Sequence, residues 1–202
     1  MDTVHIVDDD ESIRLSLDSL FRSVGLATKL YGTTSEFLTA ARGDGACCLV
    51  LDVRLPGQSG LDFQQQLAEG GTHIPVVMMT GHGDIPMSVR AMKAGAVDFL
   101  AKPFRDQEML DAVMAAIEKD RVRRAADKDH TDLRARFETL SPRERQVMGL
   151  VTAGRMNKQI AGELNLSEIT VKIHRGAAMR KMGARSLADL VRMAEALHLK
   201  QG

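Results

Sequence analysis

Asp8, Asp9 and Asp10 follow the apolar run VHIV. Asp52 closes CCLVLD, Thr80 follows IPVVMM, and Lys102 follows VDFLA and precedes Pro103. Each group stands at the end of an apolar run of strand length. In a parallel α/β sheet the carboxyl ends of the strands open onto one crevice, so groups far apart in sequence meet there. Asp8, Asp9 and Asp52 brought together would repel one another unless a cation lay among them. Hard oxygen donors suit Mg²⁺, which takes a few carboxylates, a phosphate and several waters. An aspartate beside such an ion is a nucleophile toward phosphorus and can become an aspartyl phosphate. The Lys102 ammonium would neutralise charge on the transferring oxygens, and the Thr80 hydroxyl would hydrogen-bond one of them. The plainer reading of the same residues is an acidic rim at strand ends that holds no ligand.

The elements that must position these groups are legible as alternating runs. Short Val/Ile/Leu-rich segments at 3–8, 26–31, 47–52, 74–80 and 96–101 have the composition of strands covered on both faces. Between them lie amphipathic stretches near 10–24, 34–43, 59–69, 84–95 and 105–120. In the first of these, Ile13, Leu17, Leu20, Phe21 and Val24 recur at helical spacing. Five βα units predict a doubly wound five-stranded parallel sheet.

The formal net charge of zero conceals a division. Residues 1–117 hold nine Lys/Arg against sixteen Asp/Glu, and residues 139–202 hold eleven against five. A basic end points to an anionic partner, and the acidic half to a different task. Cys47 and Cys48 are the only cysteines and are adjacent in an apolar run. That spacing suits neither a disulfide nor a metal site, and both read as buried strand residues. No apolar run reaches membrane-spanning length, and the acidic N-terminus lacks the basic region of a signal peptide. The expected location is the cytoplasm, with no membrane contact.

Residues 118–138 are densely charged with both signs, and only Val122, Leu133 and Phe137 are large and apolar. A solvated helix, continuing the last helix of the first domain, or a mobile linker fits, and a compact core does not. From 139 onward the pattern is all helical. Ser141-Pro142-Arg143-Glu144 supplies an N-cap, a proline at N1 and the glutamate of a capping box. That helix ends near Gly154. A second spans about 157–164, a third 168–182 with Ser167 as cap, and a fourth is capped by Ser186. Two short helices joined by a tight turn make a helix-turn-helix. On the third helix, Val171, Ala178 and Met182 face inward, leaving Lys172, Arg175, Arg180 and Lys181 outward to meet phosphates in a major groove. Leu187, Leu190, Val191 and Ala194 form one face of the fourth helix, for pairing with a second chain or for the monomer core.

VDDD, LDVRLPGQSG, MTGHGD and AVDFLAKPF together resemble the receiver domain of two-component response regulators over roughly residues 1–120. The resemblance implies a flavodoxin-like sheet with Asp52 as phospho-acceptor. It implies Mg²⁺ bound by Asp9 and Asp52 directly, by Asp8 through water, and by the main-chain carbonyl of Arg54. Thr80 and Lys102 are then the phosphate-contacting pair. Phe99 is either the aromatic switch residue or an ordinary core phenylalanine. The Lys102–Pro103 peptide is similar to the cis bond of that family. His82 and Asp84 flank the site, His82 as a contact for a partner or solvent. The segment LSPRERQVMGLVTAGRMNKQIAGELNLSEITVKIHRGAAMRKMG is similar to the helix-turn-helix of LuxR-type regulators over 139–199, and the combination points to the FixJ/NarL group. By position, Lys172, Ile173 and Gly176 are base-facing. Lys158, Thr170 and His174 resemble backbone-phosphate contacts, and Arg175 and Lys181 complete the basic face. Gly176 offers no side chain where relatives have one, so readout there shifts to Arg175 or to DNA shape.

Two domains and a connecting segment are thus expected: a receiver at 1–120, a charged helical linker at 121–138 and a LuxR-type domain at 139–202. The implied protein is a regulator and no enzyme. It would be phosphorylated by a sensor histidine kinase, pair as a homodimer, bind double-stranded DNA and meet RNA polymerase. Two rivals stand beside this reading. A Mg²⁺-dependent phosphohydrolase would use the same aspartate, threonine and lysine, but it needs an acid/base two residues after the nucleophile, where Arg54 stands. A DNA-binding protein indifferent to phosphorylation would keep the first domain only as a pairing module.

Overall fold

The computed structural model describes residues 1–41, 43–81 and 85–198. The chain divides into two compact units, Met1–Arg124 and Ala125–Gly202. His82 and Asp84 lie outside the described residues.

In the first unit β1 (Thr3–Val7), β2 (Ala27–Tyr31), β3 (Cys47–Asp52), β6 (Val76–Thr80) and β7 (Asp98–Ala101) form one sheet in the order β2-β1-β3-β6-β7. Every pairing in it is parallel. A two-stranded antiparallel ribbon, β4 (Arg54–Leu55) with β5 (Gln58–Ser59), follows β3. The helices are α1 (Glu11–Ser23), α2 (Thr34–Thr39), α3 (Gly60–Glu69), α4 (Ile85–Lys93) and α5 (Asp106–Glu138). α2 is shorter than the expected 34–43, because Ala40 turns to an extended conformation (φ −74°, ψ 135°).

Alternation along the strands sends side chains to two cores. Val4, Ile6, Cys48, Val50, Val77 and Met79 pack with Leu17 and Phe21 of α1 and with Met109, Val113 and Ile117 of α5. Val7, Leu49, Leu51 and Met78 pack with Phe37, Phe63 and Leu67 on the other face. All six residues of β3 are buried, which explains its unbroken apolar sequence. Both cysteines are buried and free, and burial pushes the Cys48 thiol far up, leaving it inert.

Two features hold the strand that carries Asp52. At its amino end, Asp120 of α5 is fully buried. Its carboxylate accepts the Cys47 amide at 2.9 Å, Arg123 Nη2 at 2.6 Å and Arg124 Nε at 2.6 Å. Burial alone would raise its pKa, but Arg123, the Cys47 amide and Arg124 outweigh that and hold the carboxyl below its ordinary value. At its carboxyl end, Gly60 opens α3 and donates its amide to the Val53 carbonyl at 2.8 Å. A Cβ on Gly60 would stand 2.1 Å from the Asp52 carbonyl oxygen and 3.0 Å from the Val53 Cα. Only glycine permits this approach.

The charged stretch after Arg124 is helical as far as Glu138. Leu133 and Phe137 are half-buried there. They pack against the core of the second unit, made by Leu140, Val147, Met148, Ile160, Val171, Ala178, Met182 and Leu190. That unit contains α6 (Pro142–Thr152), α7 (Asn157–Leu164), α8 (Glu168–Met182) and α9 (Leu187–Ala196). Ser141 and Glu144 form the capping box at the start of α6. Asn165, in the left-handed region at φ 56°, ends α7 and turns the chain toward Ser167, the N-cap of α8. Leu190 and Ala194 of α9 belong to the core, whereas Leu187 is exposed.

Removing one partner of a buried, multiply bonded charge strands the others. Asp120→Ala should therefore destabilise the first unit by about 3 kcal/mol at neutral pH in urea unfolding. Asp120 contributes stability above about pH 4, its unfolded value, and loses it as pH falls through its depressed folded-state pKa. The gap between parent and variant should accordingly close in acid. Gly60→Ala should cost about 3 kcal/mol, since backbone on both sides must shift. Gly162→Ala in α7, where an added Cβ meets nothing within 4 Å, should instead stabilise by up to about 1 kcal/mol.

Candidate functional site: an acidic crevice and a helix-turn-helix face

Strand register gathers the first set of residues. Val7 lies opposite Leu51, Asp52 opposite Met79, and Thr80 opposite Ala101. Asp8, Asp52, Thr80 and Lys102 therefore emerge within a residue or two of one level along the carboxyl edge. The chain leaves β1 for β2 on one side and β3 on the other, which makes the gap between β1 and β3 the topological switch point.

Asp8, Asp52 and Thr80 are buried. Lys102 Nζ donates to Asp8 Oδ2 at 2.7 Å and to Asp52 Oδ1 at 2.7 Å. The second Asp52 oxygen accepts the Arg54 amide at 2.6 Å, and the second Asp8 oxygen accepts the Asp10 amide at 2.8 Å. Burial raises the Asp52 pKa, opposed in part by Lys102. Burial works to lower the Lys102 pKa, but Asp52 and Asp8 outweigh it and hold the ammonium above its ordinary value. The Lys102–Pro103 peptide is cis.

The three consecutive aspartates have separate environments. Asp10 caps α1, its carboxylate accepting the Ser12 amide at 2.8 Å. Asp9, next in the chain to Asp8, is exposed, as is Arg54. Phe99 is half-buried and packs at the margin of the core on the α3–α4 side of the sheet. Among the described residues no three carboxylates already stand as a metal-binding group. The donor set is nonetheless all oxygen, and one lysine faces Asp8 and Asp52 with Asp9 alongside, so negative charge is in excess. A hard divalent cation fits that chemistry. A cavity of about 680 Å³ adjoins Lys102, between α1 and Phe104.

Arg14 was not singled out by sequence reasoning. Its Nη1 donates to the Asp8 main-chain oxygen at 2.7 Å and so fixes the peptide from which Asp9 projects. The signal was available: Arg14 is the first cation after four consecutive acids.

In the second unit α8 presents the expected DNA-contact residues unevenly. Lys172 and Ile173 are exposed, and Lys158 is exposed on α7. Thr170 and His174 are half-buried, and the Thr170 amide donates to Ser167 Oγ at 3.1 Å. An added Cβ on Gly176 would meet nothing within 4 Å. Arg175 is half-buried and reaches Asn157 Oδ1 at 3.5 Å. Lys181 Nζ donates to Glu144 Oε2 at 2.6 Å and to the Thr139 carbonyl at 3.3 Å. It thereby clasps the end of α8 to the start of α6, and holds the Glu144 carboxyl below its ordinary range. Arg180, by contrast, is exposed.

The sequence matches the family model described as response regulator receiver domain over residues 4–114, and that described as bacterial regulatory proteins, luxR family, over residues 138–194. It is 62% identical over 194 residues to nodulation protein W of Bradyrhizobium diazoefficiens, covering 96% of this chain and 86% of that protein. It is 46% identical over 192 residues to the transcriptional regulatory protein FixJ of Rhizobium meliloti, covering 95% and 94%. Among solved structures, the response regulator StyR matches with a TM-score of 0.86 at 48% identity, over 96% of this chain and 98% of that one. Full-length FixJ from B. japonicum matches with a TM-score of 0.58 at 39% identity, over 98% of each. The chain therefore belongs to the response regulators of two-component systems, as a receiver domain joined to a LuxR-type DNA-binding domain.

Proposed function

We propose that Asp52 accepts a phosphoryl group from a sensor histidine kinase and that the modified chain pairs and binds double-stranded DNA through α8. The observation that carries this reading is the single ammonium of Lys102 shared by Asp8 and Asp52 in one crevice. An Asp52 oxygen attacks phosphorus, the new O–P bond forms as the P–N bond of the phosphohistidine breaks, and the electron pair leaves with the imidazole nitrogen. Mg²⁺, held by Asp8, Asp9, Asp52 and the Arg54 carbonyl, would supply positive charge against the phosphoryl oxygens. Lys102 is placed to exchange its bond with Asp52 for one to a phosphoryl oxygen, and the Thr80 hydroxyl holds another. Phe99, half-buried and packed against the α3–α4 core, turns inward in this reading as Thr80 moves.

The face of α4 then changes and receivers pair, which raises the effective concentration of two DNA-binding units on paired half-sites. Lys158, Thr170 and His174 position the helix on phosphates, and Lys172 reaches base edges. RNA polymerase is the partner through which such a regulator would act. We place the protein in the cytoplasm. No helix of the described residues is long and apolar enough to cross a membrane.

Incubation with a small-molecule phosphodonor and Mg²⁺ should add one phosphoryl group by mass, and Asp52→Ala should gain none. Affinity for a duplex selected from a random pool should rise roughly a hundredfold on phosphorylation. Equal phosphate uptake by Asp52→Ala would refute the site. Equal DNA affinity with and without donor would refute the coupling.

A further inference from the structure

The outer stripe of α8 contains an apolar pair. Ile169 is 71% exposed and Ile173 is 63% exposed. They lie four residues apart, hence one above the other on the same side of the helix. That side is opposite Val171, Ala178 and Met182, which are buried in the core. Lys172, Gly176 and Arg180 share the stripe by helical spacing, and Lys172 and Arg180 are exposed. Nothing covers the space beside the Gly176 Cα.

Two large β-branched side chains held in water are costly, each leaving apolar area unburied. A protein partner is the usual reason for such a patch. Here the setting selects a different occupant. The pair stands in the first turns of the second helix of a helix-turn-helix, the part that meets base edges in the major groove. Exposed cations border it on the same stripe, as contact with a polyanion requires. The one apolar group that base edges present in that groove is the 5-methyl of thymine.

We propose that Ile169 and Ile173 together form a reading strip for thymine methyl groups, with the open space at Gly176 admitting the base edge between helix and groove. Lys172 then supplies the hydrogen-bonding contact, and the apolar pair selects thymine at neighbouring positions. Ile169 becomes a specificity-determining residue beside Ile173. This inference rests on the reading of α8 as the DNA-contacting helix.

The test uses the full chain with phosphodonor and Mg²⁺. Duplexes are first selected from a random pool, and the enriched sequence is then remade with uracil in place of each thymine in turn, which deletes only the methyl. The parent protein should lose about fourfold in affinity at each contacted thymine, the value of burying one methyl-sized group. Ile169→Ala removes an exposed side chain and leaves the core intact. It should bind the thymine duplex about fourfold more weakly than the parent, and should be indifferent to uracil at one position where the parent is sensitive. Ile173→Ala should lose sensitivity at a different position. Equal binding of thymine and uracil duplexes by the parent, an enriched sequence without thymine, or an unchanged thymine/uracil ratio in Ile169→Ala would each overturn the inference alone. If no sequence is enriched, the DNA-binding reading falls and the inference with it.

Discussion

Two buried carboxylates on neighbouring parallel strands cannot coexist as anions without a positive charge between them. Lys102 supplies that charge, 2.7 Å from each. Most of the first unit follows from the need to place one lysine against two aspartates. Lys102 follows β7, the last strand of the sheet in chain order, and Asp52 closes β3. They meet only because β3, β6 and β7 are paired in parallel with a fixed register. A slip of one residue in any of these ladders would turn every side chain to the opposite face. The two cores forbid that slip, since each strand alternates buried residues between them. The apolar packing and the charged crevice are therefore one constraint seen at two ends of the same strands.

The same strand is held at both ends by groups that do no chemistry. Asp120 reaches the Cys47 amide at the start of β3, and α3 presses its glycine against Asp52 at the finish. Arg14 does comparable work for β1 by fixing the Asp8 carbonyl. As the proposed phospho-acceptor, Asp52 must keep its geometry while a neighbouring ligand changes its charge. Rigid support from second-layer contacts provides this, because the carboxylate's own bonds to Lys102 must remain exchangeable.

Sequence reasoning recovered the strands and the crevice because both depend on short-range pattern. The unbroken apolar run CCLVLD is a strand buried on both faces, and the residues closing such runs are the ones the sheet assembles. What escaped depends on partners distant in sequence. Asp120 lies in a stretch whose mixed charges read as solvated, yet its partner is 73 residues away. Lys181 looked like one more cation on a basic helix, but Glu144 lies beside it in space. Leu133 and Phe137 were too sparse to announce a core, and they pack against one that other helices build. The ribbon at 54–59 has two residues per strand, too few for any periodicity to register. The end of α2 at Thr39 is set by backbone conformation at Ala40, which amphipathic spacing does not report.

The two units use charge in opposite ways. In the crevice, two buried carboxylates share one ammonium, so any added charge falls where little solvent screens it. On α8, Lys172 and Arg180 stand exposed, and a cation that meets only phosphates adds little to choice among sequences, since phosphates are the same everywhere. Discrimination on that face must then come from groups that meet base edges. With Arg175 turned toward Asn157, Lys181 turned toward Glu144 and no side chain at Gly176, the residues left to discriminate are few. Lys172 provides a hydrogen-bond donor, and the isoleucines at 169 and 173 provide shape and apolar surface. In the proposed reading, the basic character of the second half accounts for its attachment to DNA, and Lys172 with the two isoleucines accounts for which DNA it holds.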